Sequence, residues 1–194
     1  MKSAAKIGVL DLQGAVEEHI EMLKSIGCDT VAVKKAEQLD GLQGLVIPGG
    51  ESTTIGKLME RYGLAEEIKK RAQDGMAIFG TCAGLILLAE DINGSSQMRL
   101  GLMGIRVKRN AFGRQVESFE ADIPIPVLGG APFRAIFIRA PYIESVKPGV
   151  EELARVDGKI VFARQGRFLV SAFHPELSSD NRIHRYFVEQ VVKG

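Results

Sequence analysis

The chain has 194 residues, with 25 Lys and Arg against 24 Asp and Glu for a formal net charge of +1, and 45% of its residues are hydrophobic. That length suits one well-buried core, and an ordinary composition without a Pro/Ser-rich linker predicts a single domain spanning 1–194. The balanced charge leaves no footprint for nucleic acid or an anionic membrane, and a small molecule or a protein is the expected partner.

Cys28 and Cys82 are too few for a disulfide scaffold, and His19, His174 and His184 lack the Cys/His spacing of a zinc site, so neither a redox nor a metal framework is expected. The longest uncharged stretch, 76–89, falls short of the roughly 18 apolar residues of a membrane span and is interrupted by Gly80, Thr81 and Gly84. Residues 1–6 lead directly into strand-like Ile7-Gly8-Val9-Leu10 rather than into a signal segment, which predicts a cytoplasmic location.

In chain order, 7–12 reads as a strand, then Val16, Ile20 and Leu23 recur at helical spacing until Gly27, and 30–33 reads as a second strand. A strand at 44–47 follows, then helices at 53–61 and 64–72 broken at Gly63, a strand at 76–79, and a helix that includes 85–89. Such alternation predicts a parallel sheet covered by helices on both faces. The second half is strand-rich, with expected strands near 105–108, 118–123, 134–138, 153–156, 160–163 and 168–173. Asp157-Gly158 and Gln165-Gly166 stand where tight turns are needed. A closing helix over 181–192 carries Ile183, Phe187, Val188 and Val191 as its apolar stripe. The expected fold is a three-layer α/β/α domain whose central sheet is mostly parallel with antiparallel additions.

Gly80-Thr81-Cys82-Ala83-Gly84 joins an apolar strand to a helix in the cysteine form of the nucleophile elbow. Flanking residues without a Cβ tolerate the close backbone approach of such a turn. The helix N-terminus beyond it favours negative charge on the sulfur, and the Ala83 N–H is placed to bind an oxyanion. Cys28 follows a helix-ending Gly27, lacks an elbow, and reads as a packing or surface residue. His174-Pro175-Glu176 follows the 168–173 strand, so His174 is the candidate base and Glu176 its orienting carboxylate if the two strands run parallel. His19 on the first helix and His184 on the last read as solvated or packing residues.

Pro48-Gly49-Gly50-Glu51-Ser52-Thr53-Thr54 follows a strand and opens a helix, but it is not a phosphate loop. Five residues separate Gly50 from Gly56-Lys57, where that motif needs four, and Leu58 stands where a hydroxyl should bind magnesium. A backbone donor near Gly50 that completes the oxyanion hole is the better reading, with Ser52 or Thr53 as the helix cap. Gln13, in the loop after the first strand, has no chemistry that can be derived from the sequence.

These residues resemble the class I, or triad, glutamine amidotransferases. Phe79-Gly80-Thr81-Cys82-Ala83-Gly84 and Phe173-His174-Pro175-Glu176 carry the general likeness. A narrower likeness lies in Leu12-Gln13-Gly14-Ala15-Val16, the Pro48–Thr54 segment, Arg109-Asn110-Ala111-Phe112-Gly113-Arg114-Gln115 and Phe137-Ile138-Arg139-Ala140-Pro141. Within the class these motifs are similar to the glutaminase subunits of pyridoxal 5'-phosphate synthases. The resemblance implies that Gly50, Glu51, Ser52, Arg109, Ile138 and Arg139 contact L-glutamine, with Gly50 and Ala83 forming the oxyanion hole. It implies hydrolysis to glutamate and ammonia through a γ-glutamyl thioester on Cys82, with no metal or organic cofactor. It names as partner a (β/α)8-barrel synthase subunit in a large hetero-oligomer. Three rival readings stay open at the level of sequence: the glutaminase of another ammonia-channelling synthase, a non-enzymatic redox-sensing α/β protein, and a thiol peptidase or γ-glutamyl hydrolase on the same scaffold.

Overall fold

The computed structural model describes residues 4–110, 112 and 117–194. Strands β1 (Lys6–Leu10), β2 (Asp29–Val33), β3 (Gly44–Ile47) and β4 (Ala77–Thr81) alternate with helices α1 (Val16–Ser25), α2 (Ser52–Arg61) and α3 (Leu64–Gln73), and α4 (Ala83–Leu88) follows β4. The strand-rich half contributes β5 (Ala89–Ile92), β6 (Met103–Lys108), β7 (Ser118–Ile123), β8 (Phe133–Ile138), β9 (Tyr142–Val146), β10 (Glu151–Val156), β11 (Lys159–Gln165) and β12 (Phe168–Ser171). α5 (Arg182–Tyr186) runs into a π-helical segment, Phe187–Val192.

The main sheet has the order β2-β1-β3-β4-β12-β11-β9-β6-β5, and β10 pairs with β11. From β2 to β12 neighbouring strands are parallel; β12–β11, β11–β9 and β9–β6 are antiparallel. α1 and the C-terminal helix pack on one face, where Phe79 of β4 meets His19 and Phe187. α4 and α2 lie on the other face, against Gly80 and each other. Helices on both faces explain why β3 and β4 are buried at every position. β6 and β8, by contrast, alternate buried and more exposed residues, because only one face of each is covered. The expected mostly parallel α/β architecture with antiparallel additions is what the chain adopts.

β5 and β9 are not apparent in the sequence. Ala89-Glu90-Asp91-Ile92 is an edge strand whose carboxylates pair with Lys147 and Arg106, so its charges hide its strand character. The expected helix over 85–89 therefore stops at Leu88. β9 carries Glu144 and Ser145 and is held between β6 and β11 by partners distant in sequence. The closing helix keeps its expected stripe, with Ile183, Phe187, Val188 and Val191 all buried, but only its first part is α-helical.

A separate two-stranded sheet, β7–β8, is anchored by the stacked rings of Phe119 and Phe137, 4.5 Å apart. Its β8 end reaches the carboxyl edge of the main sheet. Among the described residues no helix is long and apolar enough to cross a membrane.

Candidate active site

Cys82 links β4 to α4 with φ +50° and ψ −99°, a conformation costing a side-chain-bearing residue roughly 1–3 kcal/mol. The glycines make that turn passable. A Cβ at Gly80 would come within 2.5 Å of the Gly84 carbonyl, and one at Gly84 within 2.0 Å of the Ile47 carbonyl oxygen on β3. Each glycine thus lets one backbone lie directly on another, as the elbow pattern predicts.

β12 runs parallel to β4 with Ser171 opposite Thr81, so Cys82 and His174 emerge side by side from the same sheet edge. The turn after β12 is pinned by the His174 N–H, which donates to the Ile136 carbonyl of β8 at 2.8 Å. His174 Nδ1 lies 2.7 Å from Glu176 Oε1, and Glu176 is buried. Gly49 packs between His174 and Cys82: a Cβ there would sit 2.4 Å from His174 Cε1 and 3.4 Å from Cys82 Cβ. Burial works against a charge on His174, but hydrogen bonds to Cys82 and Glu176, and then their charges, outweigh it and raise the imidazole to about 10. At neutral pH the ring therefore holds its proton.

The loop carrying Gly49 and Gly50 is held from below by the β1–α1 loop. Ala15 N–H donates to the Gly49 carbonyl at 3.3 Å. Gly14 allows this approach, since its φ is +98° and a Cβ there would lie 1.7 Å from that same oxygen. Gln13, opaque in the sequence, accepts from the Glu51 N–H at 2.7 Å and so fixes the Gly50–Glu51 peptide, where Gly50 has φ +155°. The cap of α2 is Glu51 rather than Ser52 or Thr53: its carboxylate accepts from the Thr53 N–H at 3.2 Å. A carboxylate serves as well as a hydroxyl at that position and also complements the helix dipole.

Gln13, Gly50, Glu51, Ser52, Cys82, Ala83, Ile86, Arg109, Asn110, Ile138, Arg139 and His174 line one cleft of about 420 Å³. Every expected site residue except Glu176 reaches this cleft, and Glu176 stands behind His174. The two arginines differ. Arg109 Nη1 donates to Gln97 Oε1 at 2.7 Å, and the Gln97 amide donates to Ser52 Oγ at 3.1 Å, so Arg109 is braced on the wall. Arg139 is exposed, 3.8 Å from Glu117, with φ +44°. Its neighbour Ile138 offers a carbonyl oxygen 3.9 Å from the Cys82 sulfur. Gln97 sits between strands in a polar stretch with no pattern to mark it, and nothing in the sequence points to it. Of the 109–115 motif, Ala111, Gly113, Arg114 and Gln115 lie outside the described residues. Among the described residues no group of three or more His, Cys, Asp or Glu is arranged to hold a metal ion.

A cysteine on a strained elbow, beside a histidine tied to a carboxylate at the edge of a mostly parallel sheet, is the constellation of a cysteine-dependent amidohydrolase. Comparison with known proteins narrows the class. Residues 9–193 match the model of the SNO glutamine amidotransferase family. The chain is 63% identical over 189 residues to the pyridoxal 5'-phosphate synthase subunit PdxT of Pelotomaculum thermopropionicum, covering 97% of this chain and 96% of that protein. It is 58% identical over 189 residues to the subunit of the same name from Carboxydothermus hydrogenoformans, covering 97% and 99%. A crystal structure of a glutamine amidotransferase superposes with a TM-score of 0.92 at 51% identity, covering 97% of this chain and 99% of that one. The chain belongs to the SNO glutamine amidotransferase family.

Proposed function

We propose that this chain is the glutaminase subunit of a pyridoxal 5'-phosphate synthase, a single cytoplasmic domain that hydrolyses L-glutamine and passes the ammonia to a (β/α)8-barrel synthase subunit in a large hetero-oligomer. The observation that carries the chemistry is the emergence of Cys82 and the His174–Glu176 pair from adjacent parallel strands into one cleft.

The Cys82 sulfur attacks the side-chain carboxamide carbon of glutamine, forming a C–S bond. The Ala83 and Gly50 N–H groups hold the tetrahedral oxyanion; Ala83 opens α4, where first-turn N–H groups have no partner within the helix. Collapse breaks the C–N bond, and the nitrogen leaves as ammonia with the proton that His174 holds at neutral pH. The same ring, now neutral, takes a proton from water as it adds to the γ-glutamyl thioester. Collapse then releases glutamate and returns the sulfur and the protonated ring to their starting state. Glu176 orients the ring throughout.

Arg109 suits the glutamine α-carboxylate, because its guanidinium is braced toward the cleft and forms paired bonds with carboxylates. Arg139 contributes mainly through the backbone beside Ile138. Gln97→Ala removes the brace, and because carboxylate binding is common to ground and transition states, KM should rise about tenfold with kcat changed by less than about twofold. An unchanged KM would remove Gln97 from the binding wall.

The overall assignment is tested with glutamine labelled at the amide nitrogen, a pentose phosphate, a triose phosphate and the synthase subunit. Label is expected in pyridoxal 5'-phosphate only when both subunits are present, and glutamine hydrolysis should be much faster in the complex. Equal hydrolysis with and without the synthase, and no labelled product, would reject the partner and leave a free-standing glutaminase.

A further inference from the structure

Behind the triad, the layer that α1 and α5 lay on the sheet encloses polar side chains with no access to water. His19 of α1, His184 of α5 and Thr81 of β4 are fully buried. His19 Nδ1 is 2.8 Å from His184 Nε2, and His19 Nε2 is 3.2 Å from Thr81 Oγ1 and 3.5 Å from Glu176 Oε2. Apolar residues of similar volume would fill this space without desolvating polar groups. The cluster touches the chemistry at one point, the carboxylate that orients His174. Glu176 already gives Oε1 to His174, its buried Oε2 has no hydrogen-bond partner among the described residues, and the His19 ring faces it at 3.5 Å.

The proton positions follow from that contact. A carboxylate only accepts and the Thr81 hydroxyl can accept as well, so His19 presents N–H at Nε2, directed between Thr81 Oγ1 and Glu176 Oε2, and a lone pair at Nδ1. His184 must then donate from Nε2, which leaves its Nδ1, without a partner among the described residues, as a bare acceptor rather than a stranded N–H. The opposite tautomers would aim a lone pair of His19 at Glu176. Both rings stay neutral: desolvation, then the charges of His184 and His174, hold His19 well below its ordinary value, and desolvation pushes His184 down to about 3.

We infer that His19 is a positioning residue of the triad, its Nε2–H holding the second oxygen of Glu176 and so the ring of His174, with His184 fixing its tautomer. This rests on the triad reading proposed above. The groups facing His174 are Cys82 from the elbow, Glu176 from its own turn, the Ile136 carbonyl from β8 and Gly49 from the β3–α2 loop. Those facing His19 are His184, Glu176, the charge of His174 beyond it and, from β4, Thr81 and Phe79, neither of which is an ionisable side chain in this range.

His19→Leu removes the donor at similar bulk, whereas His19→Gln keeps an N–H. In the complex with the synthase, His19→Leu is expected to lower kcat by about 10- to 100-fold, the scale known for losing the outer partner of a metal-bound histidine, with KM within about twofold. The alkaline limb of its kcat profile should move to lower pH, because a loosely held Glu176 stabilises the charged His174 ring less. His19→Gln should recover most of both. Imidazole nitrogen NMR of the wild-type chain should show Nε2–H on His19 and on His184. A folded His19→Leu enzyme with wild-type kcat and pH profile overturns the inference. Should that variant fail to fold, Nδ1–H on His19 in the wild type overturns it and Nε2–H upholds it. Absence of glutamine hydrolysis by the wild-type complex would reject the triad reading instead, and the tautomers are read without any turnover.

Discussion

Replacing Cys82 with alanine is expected to reduce glutamine hydrolysis by the assembled enzyme about 10⁴-fold or more while leaving the fold in place. The proposed oxyanion donors and glutamine wall survive the change, but no atom remains to form the thioester. The sulfur gives up its hydrogen bond to His174, whose proton Glu176 still holds, and a weak 3.9 Å contact with the Ile138 carbonyl, so its loss should alter unfolding free energy by roughly 1–3 kcal/mol. The elbow is shaped by Gly80 and Gly84 rather than by the thiol, and it persists. A second signature accompanies the loss. Cys82 is one of the two groups that raise His174 to about 10, so in Cys82→Ala the imidazole should titrate closer to its ordinary value of 6.5, held up by Glu176 alone. Turnover near that of the wild type would reject Cys82 as nucleophile. An unshifted His174 titration would show that the two side chains are not coupled.

Stability should fall steeply in acid, starting well above the carboxylate range. His19 and His184 are kept neutral by burial, His184 down to about 3, whereas both take up protons near 6.5 in the unfolded chain. Below that value the unfolded state binds two more protons than the folded state, so the stability these residues contribute is present above 6.5 and is lost as pH falls. Each costs about 1.4 kcal/mol per pH unit, and together the slope approaches about 2.7 kcal/mol per unit below pH 5.5. His174 has the opposite sign. Its folded value is raised, so its contribution is complete below 6.5 and disappears only as pH climbs toward about 10. Denaturant midpoints measured between pH 7 and 4.5 would reveal the acid slope, and His184→Leu should roughly halve it. A flat profile over that range would mean that the two rings are protonated in the folded protein.

Local features of the chain were enough to mark Cys82 and His174 as the candidate nucleophile and base. Gly80-x-Cys82-x-Gly84 could be read because its pattern lies within five residues, although the Cβ-free Gly84 is required by the Ile47 carbonyl of distant β3 as well as by the turn. The buried parallel strands were legible for the same kind of reason: helices on both faces demand unbroken apolar runs such as Gly44–Ile47. The charged edge strand β5 and the interior strand β9 have no such local mark, since their strand state comes from pairing with other segments of the chain.

The supports of the site belong to that second kind. Gln13 to Glu51, Gln97 to Arg109 and Ser52, and Gly14 to the Gly49 carbonyl each join segments that are ordinary by themselves. His19 and His184 read as scattered helical residues, yet they meet 165 positions apart beneath Glu176. Composition and short-range pattern single out Cys82 as the candidate nucleophile, because the elbow pattern is carried by one turn. What holds its partners in place depends on which helix is laid over which strand, and packing of the whole sheet sets that.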